Sequence, residues 1–358
     1  MSLKRRVSLL SLAILSIAAV VGASSTSVAQ RVLPQIQSVA RLGCTPREQS
    51  RPREFPWCVN LHTRAIRSVA FSPDGYLASG SVDKTIKIWN VAATAQGDRN
   101  RVLVRTLPAS PEQILSIAFS PDGRHLVSGG GRVVRLWDWQ RGELVQDFSG
   151  HEGIVYTVAV SPDGRLFASA GNDKVVRVWD VATRTLVWEL PENQEVLSLA
   201  FSPDGRTLVS SGSGSTVKQW DLQEGELMMT MGPYLNPVWS IAFTADGEML
   251  AYSAQRPGFR NEPADTIRLW DLQGEPEAVL QTHAAEIRSL AFTPNNQHLI
   301  SVDLQGMIKL WDFAAEAVAE MPTEHIGEVW TIAVSRDNRT IASGSADNTI
   351  KVWQLSGR

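Results

Sequence analysis

The sequence has little excess charge, few cysteines and only one long apolar run. A net charge of −3 gives no basic surface of the kind that binds nucleic acid. No cysteine pair or His-x-x-x-His sequence has the spacing of a metal site, and no glycine-rich phosphate loop opens a helix. Because 43% of the residues are apolar and 20% are charged, the chain is typical of a globular protein.

The long apolar run lies at the N-terminus. Lys4, Arg5 and Arg6 precede apolar residues from 7 to 21, and small residues follow up to Ala29. This is the layout of a secretory signal peptide. We therefore expect residues 1–29 to be removed and the protein to be exported, either periplasmic or secreted. A cut after Ala23 is an alternative, and an uncleaved signal would leave a membrane anchor. No second run is apolar enough to span a bilayer.

The two cysteines, Cys44 and Cys58, follow the signal closely. Export makes a disulfide permissible, and closing so short a loop would stabilise the fold by about 3 kcal/mol in the chain-entropy model. Two unpaired thiols are the alternative. The even count and close spacing favour the bridge.

Seven tryptophans each end the same short sequence motif, as in Thr85-Ile86-Lys87-Ile88-Trp89. Their spacings are 48, 42, 41, 50, 41 and 42 residues. A fixed period in this range predicts a repeat architecture, and it shifts the functional question from catalysis toward binding. The seven tryptophans are Trp89, Trp137, Trp179, Trp220, Trp270, Trp311 and Trp353.

Each repeat reads as four short strands. An apolar stretch precedes a Ser-Pro-Asp-Gly turn at 72–75, 120–123, 161–164 and 202–205, with degenerate forms at 244–247, 293–296 and 335–338. Proline presets the first turn angle, and Gly or Asn accepts positive φ. Four-stranded units arranged radially make a β-propeller, which we favour over a linear solenoid.

The pattern resembles the WD-repeat β-propeller family. The Trp-Asp dipeptide stands at 137–138, 179–180, 220–221, 270–271 and 311–312, and Gly150-His151 matches the family's Gly-His. The resemblance implies an all-β, seven-bladed propeller over residues 57–358, with four antiparallel strands per blade. Residues 30–56 are expected to be an N-terminal extension. An N-terminal strand near residues 57–61 is expected to complete the last blade.

The resemblance also implies structural hydrogen-bond tetrads, in which a buried indole donates to a serine that bonds a histidine oriented by an aspartate. Ser-His-Asp sets mimic a hydrolase triad, but their repetition and the link to tryptophan favour a structural role. The expected tetrads are His62-Ser79-Asp83-Trp89, His151-Ser169-Asp173-Trp179 and His325-Ser343-Asp347-Trp353.

Four repeats depart from the tetrad. Ser110, Glu192 and Tyr234 replace the histidine in repeats 2, 4 and 5, and Gln305 stands at the aspartate position in repeat 6. We expect these blades to depend more on apolar packing and to be the softer part of the ring. No catalytic residue, metal or cofactor is predicted, so the protein is interpreted as not an enzyme.

A ring of side chains is expected at the upper mouth of the channel, five residues after each histidine position: Arg67, Leu115, Tyr156, Leu197, Trp239, Arg288 and Trp330. Its Arg, Trp and Tyr members are types enriched in binding hot spots. Repeat 5 also carries an insertion at 255–263, whose Phe259 and Arg260 complete the predicted binding set. The alternatives are a channel filled by its own side chains and a neutral insertion.

Two functions follow from this sequence. The first is a non-enzymatic, monomeric scaffold that binds a protein or peptide partner on its top face outside the cytoplasm. The second is a binder or hydrolase of a small molecule or glycan at the channel mouth, because exposed aromatic rings stack on sugars and the fold alone does not decide function. Glu195, Glu286 and Glu328 are the carboxylates expected near the rim.

Overall fold

The computed structural model describes residues 35–42, 61–95, 102–254, 265–271, 276–314 and 317–356. In these ranges a short helix, α1 (Ala92–Ala95), accompanies a set of β-strands. The strands are β1 (Gln35–Leu42), β2 (Ile66–Phe71), β3 (Tyr76–Ser81), β4 (Ile86–Asn90), β5 (Leu103–Thr106), β6 (Ser116–Phe119), β7 (His125–Gly130), β8 (Val133–Asp138), β9 (Glu143–Phe148), β10 (Val155–Val160), β11 (Leu166–Gly171), β12 (Val175–Asp180), β13 (Leu186–Pro191), β14 (Val196–Phe201), β15 (Thr207–Gly212), β16 (Val217–Asp221), β17 (Glu226–Met231), β18 (Ile241–Phe243), β19 (Met249–Ser253), β20 (Asp265–Asp271), β21 (Pro276–His283), β22 (Ile287–Phe292), β23 (His298–Asp303), β24 (Met307–Asp312), β25 (Ala317–Pro322), β26 (Val329–Val334), β27 (Thr340–Ser345) and β28 (Ile350–Ser356).

The described strands pair into seven four-stranded antiparallel sheets, the blades of a propeller. Blades 1 to 6 take four consecutive strands each, from β2–β5 to β22–β25, and blade 7 has the order β26-β27-β28-β1. The innermost strand of each blade contacts the innermost strands of its two neighbours, and β2 meets β26 where the ring closes. The predicted seven-bladed, all-β propeller is confirmed.

An N-terminal strand completes the last blade, as expected, but it is not the segment that we expected. β1 pairs with β28 in a register that runs from Gln35 opposite Ser356 to Leu42 opposite Ile350. The place expected for residues 57–61 is therefore taken by a segment about twenty residues earlier in the chain, and that prediction was wrong. Leu42 is buried against blade 1 at this seam, which explains why β1 settles there.

The turn after each innermost strand has the predicted chemistry. Its fourth residue has positive φ in all seven blades, where glycine and asparagine are tolerated best. The values are 90° at Gly75, 71° at Gly123, 73° at Gly164, 71° at Gly205, 72° at Gly247, 57° at Asn296 and 61° at Asn338. The degenerate turns of repeats 6 and 7 therefore keep the backbone of the regular ones.

The hydrophobic core is divided into clusters that lie between neighbouring blades. One cluster joins Leu77 and Trp89 of blade 1 to Ile350 and Val352 of blade 7. The other repeat tryptophans lie at the equivalent place between their own blade and the preceding one. Each blade buries its apolar faces only against its neighbours. Blades 7 and 1 can therefore bury the faces that they share only when the ring closes.

Candidate functional site

The predicted hydrogen-bond tetrads of blades 1 and 3 are formed. In blade 1, His62 lies 2.8 Å from Asp83 through Nδ1 and 2.7 Å from Ser79 through Nε2. Trp89 Nε1 donates to Ser79 Oγ at 2.8 Å. In blade 3 the corresponding distances are 2.8 Å, 2.8 Å and 2.9 Å.

Blade 7 repeats the histidine contacts. His325 Nδ1 lies 2.9 Å from Asp347 Oδ2, and His325 Nε2 lies 2.8 Å from Ser343 Oγ. Trp353 is buried beside them, opposite Ile341 in the strand register. Three of the four predicted residues of this blade are thus linked by the same hydrogen bonds as in blades 1 and 3, and the fourth, Trp353, is buried.

A neutral imidazole satisfies every member of this arrangement. Nδ1–H donates to the carboxylate, and Nε2 accepts from the serine hydroxyl, whose oxygen accepts the indole N–H. Burial lowers the pKa of His62 in spite of the opposing effect of Asp83. Burial alone would raise the pKa of Asp83, but hydrogen bonds from His62, Thr85 and the backbone of Thr63 hold it well below its usual range.

This geometry does not present a nucleophile. Ser79 is fully buried and its oxygen is engaged by both His62 and Trp89. A hydrolase serine has to be within reach of a substrate carbonyl and free to attack it. The resemblance to a catalytic triad is therefore one of composition, and the group acts as a polar link inside the blade.

Blade 6 contains a tetrad that the sequence did not predict. His283 Nδ1 lies 3.0 Å from Asp303 Oδ2, His283 Nε2 lies 2.7 Å from Ser301 Oγ, and Trp311 Nε1 donates to Ser301 at 3.1 Å. Asp303 stands two residues before Gln305, which occupies the expected aspartate position and is exposed. The expectation that blade 6 relies on apolar packing in place of this link was wrong.

Blade 4 keeps the link with different chemistry. The hydroxyl of Ser210 donates to Glu192 Oε1 and accepts the indole N–H of Trp220 at 2.8 Å. Lys218 Nζ pairs with Glu192 Oε2 at 2.8 Å, so the carboxylate at the histidine position is neutralised within its own blade. Glutamate therefore substitutes for histidine as the acceptor from serine.

Blades 2 and 5 have polar pairs at the same place. In blade 2, Arg135 donates to Ser110 Oγ at 2.8 Å. In blade 5, the hydroxyls of Tyr234 and Tyr252 lie 2.6 Å apart in the buried interior. In blade 5 this bond joins the histidine and serine positions, whereas in blade 2 the partner of the histidine position is an arginine two residues before Trp137. Apolar packing is therefore not the sole substitute in these blades either.

The seven predicted rim residues line one cavity of about 430 Å³. They are Arg67, Leu115, Tyr156, Leu197, Trp239, Arg288 and Trp330. Each lies at the start of an innermost strand or one or two residues before it. Successive side chains of these strands alternate between the channel and the blade interior. The constant offset from the histidine position therefore places all seven at one end of the channel.

Four consecutive blades build an alternating stack along this rim. The Arg67 guanidinium of blade 1 lies 3.7 Å from the ring centroid of Trp330 in blade 7. Arg288 of blade 6 lies 4.9 Å from the same ring and 3.6 Å from that of Trp239 in blade 5. Cations at these distances are attracted by the negative faces of the rings, so each member restricts the next.

Two carboxylates near the rim, those of Glu286 and Glu195, are engaged by neighbouring side chains. Glu286 forms an ion pair with Arg288 at 2.9 Å. It also accepts a hydrogen bond from the indole N–H of Trp239. Glu195 accepts from Asn172 Nδ2 at 2.7 Å. Burial, together with the charge of Glu195, raises the pKa of Tyr156. The phenol is therefore neutral and serves as a hydrogen-bonding group of the rim.

Two family models match the chain. One, described as a WD domain, G-beta repeat, matches residues 56–90, 274–312 and 319–354. The other, described as the IFT122 first beta-propeller, matches residues 113–258. The chain is a WD-repeat β-propeller.

Curated relatives agree with this assignment. The chain is 30% identical to the nuclear distribution protein PAC1 of Arthroderma otae over 274 residues, covering 74% of this chain and 53% of that protein. It is 26% identical to a ribosome biogenesis protein WDR12 homolog of Chlamydomonas reinhardtii, covering 79% and 72%. It is 25% identical to a guanine nucleotide-binding protein subunit beta of Zea mays, covering 84% and 72%. The chain thus spans about half the length of its PAC1 relative.

The WD-repeat ring also has a set of inter-blade hydrogen bonds that our reading of the sequence missed. The residue after each rim position is a Ser or Thr, and within the described residues six of these seven hydroxyls accept from a backbone N–H of a neighbouring blade. Thr331, for example, accepts from Val69 N at 3.3 Å across the closing seam. The signal was the Ser or Thr at 68, 116, 157, 198, 240, 289 and 331.

Several predictions fall outside the described residues: the signal peptide, Cys44 and Cys58, and Phe259 and Arg260. These stay predictions. In the ranges that the structure does describe, no three His, Cys, Asp or Glu side chains are grouped closely enough to hold a metal ion. The only helix in those ranges, α1, is four residues long, and they contain no candidate for a membrane-spanning helix.

Proposed function

We propose that this WD-repeat protein is a non-enzymatic scaffold that binds a protein partner at the top mouth of its channel. The observation that carries the proposal is the half-buried stack of Arg67, Trp330, Arg288 and Trp239. None of these four residues belongs to a tetrad, so the blades have their structural tryptophans without them.

The stack has the properties of a preformed binding surface. Tryptophan and arginine are over-represented among residues that dominate binding energy. Here their side chains are already ordered by one another, which reduces the conformational entropy lost when a partner binds. The rigid blades hold the rim residues in place from seven directions, as a scaffold for recognition requires.

The name of one relative supports a role in binding other proteins. The Zea mays relative is, by its name, one subunit of a guanine nucleotide-binding protein. A larger cavity of about 490 Å³ lies between blades 7 and 1, lined by Val39, Tyr76 and Asn90 among others. We assign the functional site to the rim because the cations stack on the indoles there.

We also propose that the protein acts outside the cytoplasm. Lys4, Arg5 and Arg6 followed by the apolar run support export through a signal peptide. Cell fractionation with N-terminal sequencing of the purified protein tests this: a chain beginning at Gln30 in the exported fraction supports it. A full-length chain in the cytoplasm contradicts it.

The binding proposal is tested by affinity purification with quantitative mass spectrometry from the organism that makes the protein. Trp239→Ala/Trp330→Ala should lose a partner that the unchanged protein retains, at a similar melting temperature. Trp188→Ala removes a half-buried tryptophan from the outer strand of blade 3 and is the matched control.

Two results would count against the proposal. If the double variant unfolds, the rim tryptophans are core residues. If it retains every partner, binding lies elsewhere on the propeller. A glycan array provides the remaining comparison, because sugar binding that depends on Trp239 and Trp330 would favour the glycan-binding alternative.

A further inference from the structure

Arg67 differs from the second arginine of the rim in its electrostatic environment. Arg288 is paired with Glu286 at 2.9 Å. Within the described residues, Arg67 has neither a hydrogen bond nor an ion pair, and its guanidinium stacks on the face of Trp330. Glu328 attracts it but is exposed to solvent and lies beyond ion-pair distance.

The stacked geometry leaves the donors of Arg67 available. A guanidinium that lies face-on to a ring at 3.7 Å keeps its N–H bonds in its own plane, away from the ring. This planar fork matches the two oxygens of a carboxylate. Trp330 Nε1 is a second donor at the same place, buried and without an acceptor in the described part of the chain.

Burial makes the unpaired charge of Arg67 more costly. Loss of solvent contact, and then the nearby charge of Arg288, lower the pKa of Arg67. An anion placed beside Arg67 would offset both effects, because opposite charges attract more strongly where water is partly excluded. The rim is thus better matched to an anionic group than to a cationic one.

The charges around the cavity favour a single negative charge. Glu286 already neutralises Arg288, so one uncompensated cation is left at the stack. Glu195 lines the same cavity and adds a negative charge on its far side. A carboxylate carries one charge, whereas a phosphate monoester carries nearly two at neutral pH. The monoanion therefore fits this balance better.

An apolar patch borders the same side of the ring. The residue after the histidine position is Leu235, Ala284 and Ile326 in blades 5, 6 and 7, and all three are exposed, Leu235 by 53% and Ile326 by 83%. The equivalent residues of blades 1 to 4 are Thr63, Pro111, Glu152 and Asn193. Single exposed apolar residues are ordinary, but neighbouring ones beside half-exposed tryptophans are typical of an interaction site.

We propose that the channel mouth binds its protein partner through one carboxylate held by Arg67 against Trp330. An adjacent apolar side chain of the partner lies on the patch of Leu235, Ala284 and Ile326. This inference rests on the proposed function and names the chemistry of the partner. The carboxylate is either a chain terminus or an Asp or Glu side chain, and the test distinguishes them.

Fluorescence anisotropy with four pools of labelled, leucine-rich hexapeptides tests the proposal on the purified protein. The pools carry a free C-terminal carboxylate, an internal Asp or Glu with an amidated end, the corresponding Asn or Gln, or a phosphoserine. We expect binding by the first or the second pool and none by the neutral one. Whichever of the two binds identifies the source of the carboxylate.

Variants of Arg67 assign the effect to its charge. Arg67→Met keeps an apolar stem against Trp330 and removes the guanidinium. It should lower the affinity for the pool that binds by about tenfold to a hundredfold, the usual effect of losing a charge-assisted hydrogen bond. Arg336→Ala is the control, because Arg336 is exposed at the opposite mouth of the channel.

Four outcomes would overturn the carboxylate assignment. The neutral pool binds as well as the carboxylate pools, the phosphoserine pool binds best, neither carboxylate pool binds, or Arg67→Met has the affinity of the unchanged protein. These outcomes are separable from failure of the proposed function. If Trp239→Ala/Trp330→Ala loses the natural partner while Arg67→Met retains it, the top-face site stands and the carboxylate assignment fails.

Discussion

Asp303 accepts a hydrogen bond from Nδ1 of His283 at 3.0 Å, from a position two residues before the one where WD repeats 1, 3 and 7 have their aspartate. The same carboxylate also accepts from the backbone N–H of Met307 at 2.9 Å. Blade 6 therefore has a complete polar link from a sequence that looks as if it lacks one.

Replacing this carboxylate should destabilise the propeller. Asp303→Ala leaves the buried N–H of His283 without an acceptor, at a cost of about 1 to 3 kcal/mol. Gln305→Ala, at the expected aspartate position, removes an exposed side chain and should change stability by less than about 0.5 kcal/mol. Urea unfolding of both variants measures the difference. A larger loss for Gln305→Ala would contradict the assignment of Asp303.

The inter-blade hydroxyls provide a second comparison. Thr331 accepts from Val69 N across the closing seam, and Thr157 is equally buried but makes no such bond in the described residues. Thr331→Val should therefore cost about 1 to 3 kcal/mol because a buried N–H loses its acceptor. Thr157→Val, a change of the same size, should cost less. Equal losses in thermal unfolding would mean that the hydrogen bond contributes nothing.

The closing strand makes a third prediction. Leu42 is 5% exposed and packs into the cluster that joins blades 7 and 1, whereas Val39 of the same strand is 38% exposed. Leu42→Ala should destabilise by about 2 to 5 kcal/mol, as deletions in a packed core do. Val39→Ala should have a much smaller effect. A neutral Leu42→Ala in denaturant unfolding would mean that β1 does not close the ring.

Acidification should destabilise the fold in two stages. Burial lowers the pKa of His62, His151 and His298 from the ordinary 6.5. Below that pH the unfolded chain therefore binds protons that the folded chain does not, and stability falls. The pKa of Asp83 and that of Asp347 lie below the ordinary 3.8, because hydrogen bonds from His62 and His325 among others outweigh burial.

The stabilisation from these two aspartates is therefore present above pH 3.8 and is lost as the pH falls further. The melting temperature should be level from pH 8 to 7, decline below 6.5, and decline again below 4. His62→Gln should make the decline in melting temperature below pH 6.5 smaller. A melting temperature that rises between pH 7 and 5 is the opposite of this expectation.

The period of the tryptophans and the turn residues was enough to predict the blades, because each repeat carries its own strand pattern. The rim was predictable for the same reason. Residues at the same distance from the histidine position of each repeat lie at the same level along the channel. The individual hydroxyls at Ser68 to Thr331 follow the same period and could have been found in the same way.

Other features depend on geometry that no single repeat contains. The stack of Arg67 on Trp330 joins the first and last blades, so it exists only once seven blades close the ring. The position of β1 was missed because Gln35–Leu42 carries no repeat motif and is selected by the apolar seam that it covers. Asp303 was missed because an aspartate in the turn can reach the histidine from more than one position.

The most direct test of the central claim is a photocrosslinking measurement of where the partner contacts the propeller. A benzoylphenylalanine in place of Tyr156 lies on the top rim, and one in place of Arg336 lies at the opposite mouth. After irradiation in the producing organism, we expect a specific protein crosslink from position 156 and none from position 336. A crosslink from position 336 alone would contradict a top-face binding site.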